Sequence, residues 1–331
     1  MTAWTCRLLT SSLAGLALFA ATAVTAQESA SQQPRPTFKS AVDLVSVATV
    51  VRDRKGRFVR DLKKNDFVIR EGNIRRDIVE FQADTDAPVR VALLFDVSGS
   101  MRVASLIEEA RQAARYVLGA LRLAPTSATR DKAVDEAAVF SFDMNLQSLQ
   151  PFTNDPGAIE TALARVVPYG QTSLYDAVAQ TARQVAEVAP GDRHRRAVIV
   201  FTDGIDTSSL MKPAEVSALA SAIDVPVYVL TVVSPLDHAG TSDAVESRSL
   251  AIDATLRSLA QWTGGDLFVT SAPAHESIAA RQIIDELRHQ YVLAFNSSAS
   301  RGWHPLDVRV KDRDWVVRAR SGYIAGTRVG S

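Results

Sequence analysis

The chain has almost no cysteine: a single residue, Cys6, among 331. Cys6 lies before an apolar N-terminal stretch, so a chain that loses this stretch has no disulfide, no thiolate metal site and no cysteine nucleophile. The fold must therefore rest on the packing of its core, and the chain is long enough to bury one.

Net charge is also absent, since 37 basic residues balance 37 acidic residues. The chain therefore has no global field that would attract nucleic acid or an anionic membrane, and we expect neither as a partner. Hydrophobic residues make up 47% of the sequence and charged residues 22%, which indicates a globular protein rather than a largely disordered one.

The N-terminal segment is typical of an export signal. One positive residue, Arg7, precedes an apolar stretch from Leu8, and the segment ends in the small residues Val24-Thr25-Ala26. We predict a signal peptide over residues 1–26 and a periplasmic or secreted protein, with no stable membrane span after cleavage. An uncleaved membrane anchor is the alternative, although the segment is short for a full span. The polar residues 27–37 are predicted to be a linker.

Hydrophobic patterning divides the rest of the chain into three parts. Residues 38–85 alternate in strand fashion between turn residues, which predicts a small antiparallel β unit. In residues 86–272, apolar strands alternate with amphipathic helices, which predicts an α/β fold with a doubly wound, mostly parallel sheet. Residues 273–326 contain a helix and further strands. We expect these to pack with the N-terminal β unit as a second, smaller β domain built from both flanks.

Five side chains with oxygen ligands follow the predicted strands of the α/β region or begin one of its helices: Asp96, Ser98, Ser100, Thr172 and Asp203. Because ligands bind at the carboxyl ends of the strands in open α/β sheets, we expect these side chains to meet at one edge. Two carboxylates and three hydroxyls, without histidine or cysteine, form a set of hard oxygen ligands. Such a set suits Mg²⁺, or alternatively Mn²⁺ or Ca²⁺. Gly99 and Gly204 are expected to let the backbone turn tightly beside the ion.

Each of these pieces also has an ordinary structural explanation. Asp96 with Ser98 is compatible with a turn or a helix cap, and Asp203-Gly204 with a plain turn. Ser173 and Asp176 have the spacing of a capping box, so we expect Ser173 to cap a helix rather than to bind metal.

Three segments together, "DVSGSM", "GQTSLYDAV" and "VIVFTDGID", resemble the loops of a von Willebrand factor type A (VWA) domain. The resemblance covers roughly residues 89–269 and implies a metal-ion-dependent adhesion site (MIDAS). Residue by residue, it implies that Asp96, Ser98, Ser100, Thr172 and Asp203 form the metal site, with Asp203 binding through water. Asp206 is then either a support for the site or a cap at the end of its loop.

The flanking segments resemble those of exported bacterial VWA proteins best known from acidobacteria, whose function is largely unassigned. The segments are "VVRDRKGRFVRDLKKNDFVIREG" before the domain and "YVLAFN" and "VRVKDRDWVVRARSGYIAG" after it. This resemblance supports the fold and the site more than a biological role.

The expected role is metal-dependent protein–protein interaction or adhesion. Neutral hydroxyl ligands leave an ion only partly neutralised, so an acidic side chain of a protein partner can complete its coordination, as the VWA resemblance also implies. The oligomeric state stays open.

A metal-dependent hydrolase using the same site is an alternative, but hydrolysis normally needs a general acid or base. The five histidines lie outside the three loops, at His194, His238, His275, His289 and His304, and no familiar catalytic motif is present. We therefore expect no enzyme activity. An accessory VWA subunit of a larger assembly is a third possibility, which the predicted export signal argues against.

A basic cluster, Gly191–Arg196, precedes the apolar strand at residues 197–202. We expect it to be a solvated loop, with an anion-binding site as the alternative.

Overall fold

The structure is a computed structural model that describes residues 43–84, 87–124, 134–188, 192–222, 224–232, 254–270, 272–297, 301–312 and 314–325. The predicted signal peptide and linker lie outside these residues, so their assignment stays a prediction.

Four short strands begin the described chain: β1 (Asp43–Arg52), β2 (Phe67–Glu71), β3 (Ile74–Arg76) and β4 (Ile78–Gln82). Burial alternates along β2, where Phe67, Ile69 and Glu71 face inward. A strand with a period of two in its burial places one face on a core and the other in solvent. This segment is therefore β structure, as its sequence pattern predicts.

Six strands form the central sheet, in the order β10-β9-β8-β5-β6-β7. They are β5 (Val89–Asp96), β6 (Glu136–Phe142), β7 (Leu146–Thr153), β8 (Arg195–Thr202), β9 (Val227–Val232) and β10 (Leu267–Thr270). All neighbouring pairs are parallel except β6 and β7. The expected mostly parallel sheet is confirmed.

The helices connect these strands and cover the sheet. They are α1 (Leu106–Ala120), α2 (Pro156–Leu163), α3 (Leu174–Glu187), α4 (Pro213–Ala222), α5 (described over 254–263) and α6 (Pro273–Arg288). Alternate residues of β5 join different cores: Leu93 packs with α1 and α6, whereas Leu94 packs with α3 and α4. Because both faces are covered, β5 is buried at every position.

Strand β7 is absent from the sequence-based interpretation. Its sequence, LQSLQPFT, is largely polar and contains Pro151, and its residues are half-buried or exposed. It lies antiparallel at the edge of the sheet, where a proline removes no hydrogen bond that the sheet requires. Edge position explains why no apolar run indicates this strand.

The last four strands are β11 (Tyr291–Ser297), β12 (Gly302–Val310), β13 (Val316–Ala319) and β14 (Gly322–Ala325). They combine with the N-terminal strands into two four-stranded sheets, β13-β1-β11-β4 and β14-β12-β2-β3. These sheets share one core, which includes Val47, Ile69 and Phe295. The expected β domain made from both flanks is thus present, and the fold class is confirmed.

Helix α6 packs differently from what its place in the sequence suggests. The sequence groups it with the strands that follow, whereas Ile283, Ile284 and Leu287 join the core under the central sheet. The exact boundaries at 38–85, 86–272 and 273–326 stay predictions. None of the helices in the described ranges is both long and apolar enough to cross a membrane.

A buried carboxylate on α6 connects the β domain to the central sheet. The Glu286 side chain is fully buried, and Arg52 from β1 donates to it at 2.6 Å. Arg318 from β13 also donates to Glu286 and reaches Asp266, beside β10, at 2.6 Å. Glu286 is therefore shared by arginines from two strands of the β domain, and Asp266 supplies a second carboxylate to Arg318.

We expect Glu286→Ala to lower the free energy of unfolding by about 3 kcal/mol, because the part-buried Arg52 loses its carboxylate partner and Arg318 keeps only Asp266. Chemical denaturation measures this change. The control, Glu108→Ala, removes a mostly exposed partner of Arg111 and should cost no more than about 1 kcal/mol. Equal losses in the two variants would contradict the role given to Glu286.

Candidate metal centre

The predicted ligands come from loops at one edge of the central sheet. Strands β5 and β8 are parallel neighbours with Phe95 paired to Phe201, so their carboxyl ends lie side by side. Asp96 ends β5, and Asp203 directly follows Thr202 at the end of β8. The third loop, which contains Thr172, precedes α3. This is the edge at which open α/β sheets bind ligands.

Asp96 is fully buried and held from two sides. Its Oδ1 accepts a hydrogen bond from the backbone N–H of Ser98 at 2.8 Å, and its Oδ2 accepts one from the Thr202 hydroxyl at 2.6 Å. The Thr202 hydroxyl in turn accepts from the backbone N–H of Gly204 at 3.0 Å. Thr202 thus fixes the orientation of the carboxylate, a role that the sequence interpretation missed although this threonine stands in the "TDG" motif.

The two serine hydroxyls of the first loop meet. Ser98 Oγ and Ser100 Oγ are 2.9 Å apart, with Ser98 buried and Ser100 half-buried. Adjacent ligands of an octahedral Mg²⁺ ion, each at about 2.1 Å from the metal, are separated by about 3.0 Å. The spacing of these hydroxyls therefore fits two neighbouring positions around such an ion.

Burial changes the acidity of Asp96. Loss of hydration, together with the nearby charge of Asp203, raises the pKa of this carboxyl to about 7, against the lowering effect of the bonds from Thr202 and Ser98. A carboxylate in this environment gains stability from a cation, which restores the charged form. The raised pKa of Asp96 thus agrees with a set of oxygen ligands that holds a cation.

Backbone hydrogen bonds tie the first loop to the segment before α3. The N–H of Gly99 donates to the carbonyl of Gly170 at 3.0 Å, and the N–H of Ser173 donates to the carbonyl of Asp143 at 2.8 Å. Gly170 has a φ of 106°, and a Cβ there would stand 3.1 Å from the Asp143 side chain. Glycine is therefore required at position 170, both for its backbone conformation and for space.

Thr172 is buried and is bound to the loop after β8. Its carbonyl accepts from the N–H groups of Thr207 at 3.0 Å and Ser208 at 2.9 Å, and its own N–H donates to the Thr207 hydroxyl at 3.1 Å. These three hydrogen bonds, together with one from the Ser208 hydroxyl to the Gln171 side chain at 2.9 Å, hold the loop with Thr172 against the loop with Asp203.

The N-terminus of α3 is capped from outside the helix. The N–H of Leu174 donates to Asp206 Oδ1 at 2.9 Å, and the N–H of Tyr175 donates to the Ser209 hydroxyl at 3.0 Å. Ser173 occupies the N-cap position, but its side chain makes no capping hydrogen bond, and Asp176 accepts from Leu210 instead. The predicted capping box is therefore wrong, because the loop after β8 already supplies the acceptors. Asp206 therefore acts as a cap, but it caps the N-terminus of α3 rather than the end of its own loop.

Asp203 is half-buried, with its Oδ1 accepting from the N–H of Ile205 at 3.2 Å. Gly204 beside it has a φ of 89°, as expected of a tight turn that only glycine adopts readily. The corresponding expectation fails at Gly99, which begins a 3₁₀ helix without a positive φ.

The set of predicted metal ligands contains few carboxylates. In the described ranges, no group of three or more histidine, cysteine, aspartate or glutamate side chains is arranged to hold a metal ion. The predicted set has only two carboxylates, so hydroxyls must supply the other ligands. This composition fits a hard cation that keeps part of its water, and not a zinc site built from histidine and cysteine.

The family model of the von Willebrand factor type A domain matches residues 91–206. The match includes all five predicted ligands and ends at Asp206. No curated protein matches the chain.

Several solved structures are similar to this chain. The conserved hypothetical protein BatB from Bacteroides thetaiotaomicron has 19% identity and a TM-score of 0.44, over 60% of this chain and 98% of that one. A von Willebrand factor type A protein from Catenulispora acidiphila has 12% identity and a TM-score of 0.47, over 87% and 76%.

Proximal thread matrix protein 1 from the mussel byssus, solved with a zinc-occupied MIDAS motif, has 18% identity and a TM-score of 0.44, over 66% of this chain and 49% of that one. This chain therefore covers about half the length of the mussel protein. With TM-scores this low, the family assignment rests on the match over residues 91–206.

We expect Thr202→Val to weaken Mg²⁺ binding by about tenfold, because Asp96 loses the hydroxyl that orients it. Isothermal titration calorimetry measures the affinity. Thr181→Val is the matched control, since the buried Thr181 hydroxyl, on α3, has no hydrogen-bond partner in the part of the chain that the structure describes. Unchanged Mg²⁺ affinity in Thr202→Val would show that this hydroxyl does not support a metal site.

Proposed function

Because residues 91–206 form a von Willebrand factor type A domain, we propose that this protein binds a partner protein through a divalent cation held at the carboxyl edge of its central sheet. Asp96, Ser98, Ser100, Thr172 and Asp203 are the proposed ligands. Mg²⁺ is the proposed ion, with Mn²⁺ or Ca²⁺ as alternatives, since all three prefer oxygen ligands.

The observation that carries this proposal is the uncompensated charge of Asp96. Its two hydrogen bonds come from a backbone N–H and a hydroxyl, both neutral donors. Within the described part of the chain, no lysine, arginine or histidine forms an ion pair with it. A buried carboxylate without a counter-charge is costly, and a bound cation removes that cost.

The chain's own ligands leave the cation ready for a partner. Of the five proposed ligands, three are neutral hydroxyls and two are carboxylates. With a water molecule between Asp203 and the ion, Asp96 is the one carboxylate in direct contact, so the ion is only partly neutralised. When bound, the ion supplies a positive, exchangeable coordination position, which an aspartate or glutamate of another protein can fill. Asp96 would anchor the ion, the hydroxyls of Ser98 and Ser100 would set its position, and Thr172 and Asp203 would complete the site.

Exposed apolar side chains surround these loops. Tyr169 is 73% exposed and Leu210 92% exposed, and Val103 and Val167 are also largely exposed. Tyr169 precedes the Thr172 loop, Val103 follows Ser100, and Leu210 belongs to the loop after β8. Aromatic and apolar groups at the surface beside a polar anchor are typical of protein–protein interfaces.

The hydrolase alternative receives no support from three of the four histidines that the structure describes. His194 contacts Asp192 near the start of β8, His289 at the end of α6 stacks on Phe58 of the β domain, and His304 lies beside Glu71. The fourth, His275, is exposed near the start of α6, which follows β10 at the carboxyl edge of the sheet. His238 lies outside the described residues.

We also propose that the protein is exported, on the basis of residues 1–26. Intact-mass measurement on protein purified from its native host should show a chain beginning at Gln27. An N-terminus at residue 1 would contradict export by cleavage and favour the membrane anchor or the accessory-subunit alternative.

Peptide display tests the proposed mode of binding. We expect peptides selected on the protein in Mg²⁺ to share an aspartate or glutamate and to be released by EDTA. Replacement of that residue by its amide should weaken binding at least about tenfold, because the metal loses a charged ligand.

Asp96→Asn is the matching protein variant and should select no such peptides, whereas Asp155→Asn, at the N-cap of α2, serves as a control of equal charge change. Peptides that bind equally in EDTA, or that need no acidic residue, would contradict the proposal.

A further inference from the structure

A second polar cavity lies at the opposite edge of the central sheet. It has a volume of about 390 Å³, is partly open to solvent, and is lined by the start of β8, the segment before β9, and strands β1, β4 and β11 of the β domain. The cavity therefore lies between the two parts of the fold, and Arg195, Asp224, Ser46 and Val292 are among its lining residues.

Arg195 is buried at this cavity. It is only 9% exposed, so the prediction of a solvated loop is wrong for this residue, although Arg193 beside it is exposed. Its Nε is buried without a hydrogen-bond partner among the described residues, and its Nη2 donates to the carbonyl of Gln290 at the long distance of 3.4 Å. Position explains the difference: Arg195 is the first residue of β8 and is covered by the β domain.

The carboxylates around Arg195 are bound to other cations. Asp192 accepts from Arg196 at 3.1 Å and from Arg90, which also pairs with Glu136 at 2.7 Å. Asp84 pairs with Arg193 at 3.0 Å, and Asp224 pairs with Arg320 at 3.3 Å. In the ranges that the structure describes, no carboxylate forms an ion pair with Arg195, which is therefore the one positive charge left over in the cluster.

An arginine in this setting is costly without an anion. The guanidinium stays charged in proteins, and burial lowers its pKa because the charged form loses hydration. Each buried donor without an acceptor adds a further cost. The cost disappears if an anion enters the cavity and accepts from the guanidinium.

We propose that this cavity is a binding site for a small oxyanion, which Arg195 holds through two parallel hydrogen bonds. A guanidinium matches two oxygens of one phosphate, sulfate or carboxylate group, and such paired bonds are among the strongest in proteins. The limited volume and the single excess charge fit a small solute rather than a polyanion. The proposal therefore favours the anion-binding alternative for the basic cluster at residues 191–196.

Occupancy of the site stabilises the contact between the central sheet and the β domain. The lining comes from both, so the anion binds the assembled fold and not the unfolded chain. Ligands of this kind raise the free energy of unfolding as their concentration exceeds Kd. The proposal does not depend on the metal site, which lies at the other edge of the sheet.

Inorganic phosphate is the probe. We expect saturable binding to the full chain in calorimetry, with a Kd at or below about 10 mM, in EDTA and at constant ionic strength made up with chloride. Arg195→Gln should weaken binding at least about tenfold, and Arg195→Lys should weaken it less, because lysine keeps the charge but not the two parallel donors. Sulfate and acetate in parallel titrations distinguish a tetrahedral oxyanion from a carboxylate.

Arg111→Gln is the control of equal charge change, on α1, and Asp96→Asn should bind phosphate like the wild type. If Arg195→Gln does not fold, the ³¹P line width of phosphate with the wild type and with Arg195→Lys provides the same comparison. Absence of saturable binding of any of the three oxyanions by the wild type, or equal binding by the Arg195 and Arg111 variants, would overturn the proposal.

Discussion

The hydrogen bond between Thr202 and Asp96 is the contact on which the candidate site depends. It joins the ends of β5 and β8, at 2.6 Å and in a fully buried position, so the two loops that follow these strands start from fixed points. The parallel register of the strands makes this contact possible, since Phe95 pairs with Phe201 one residue earlier. The position of the candidate site thus follows from the parallel pairing of β5 and β8, and the loops carry the proposed ligands.

The third loop is fixed by backbone rather than by side-chain ligands. Thr172 is bound through its carbonyl and N–H to the loop after β8, and the same loop caps α3 through Asp206 and Ser209. Movement of one loop must therefore disturb the other and the first turn of α3.

The hydrophobic pattern of the sequence predicted the strands whose burial it reflects directly. Strands β5 and β8 are uninterrupted apolar runs because both faces of the sheet are covered, and the flanking strands alternate because one face is solvated. The edge strand β7 has no such signal. The cap of α3 comes from residues more than thirty positions away, and the burial of Arg195 depends on where the β domain lies, so neither follows from neighbouring sequence. Among the proposed ligands, the motif spacing indicated which loops meet, but not that Thr202 orients Asp96.

Titration of Mg²⁺ into EDTA-treated protein at pH 8 tests the central claim most directly. The account predicts saturable binding at one site, absent in Asp96→Asn and retained in Glu108→Gln. It also predicts weaker binding at pH 6, because below its raised pKa of about 7 the Asp96 carboxyl holds a proton that the metal must displace. Mg²⁺ binding by Asp96→Asn equal to that of the wild type, or no saturable binding by the wild type, would contradict the account.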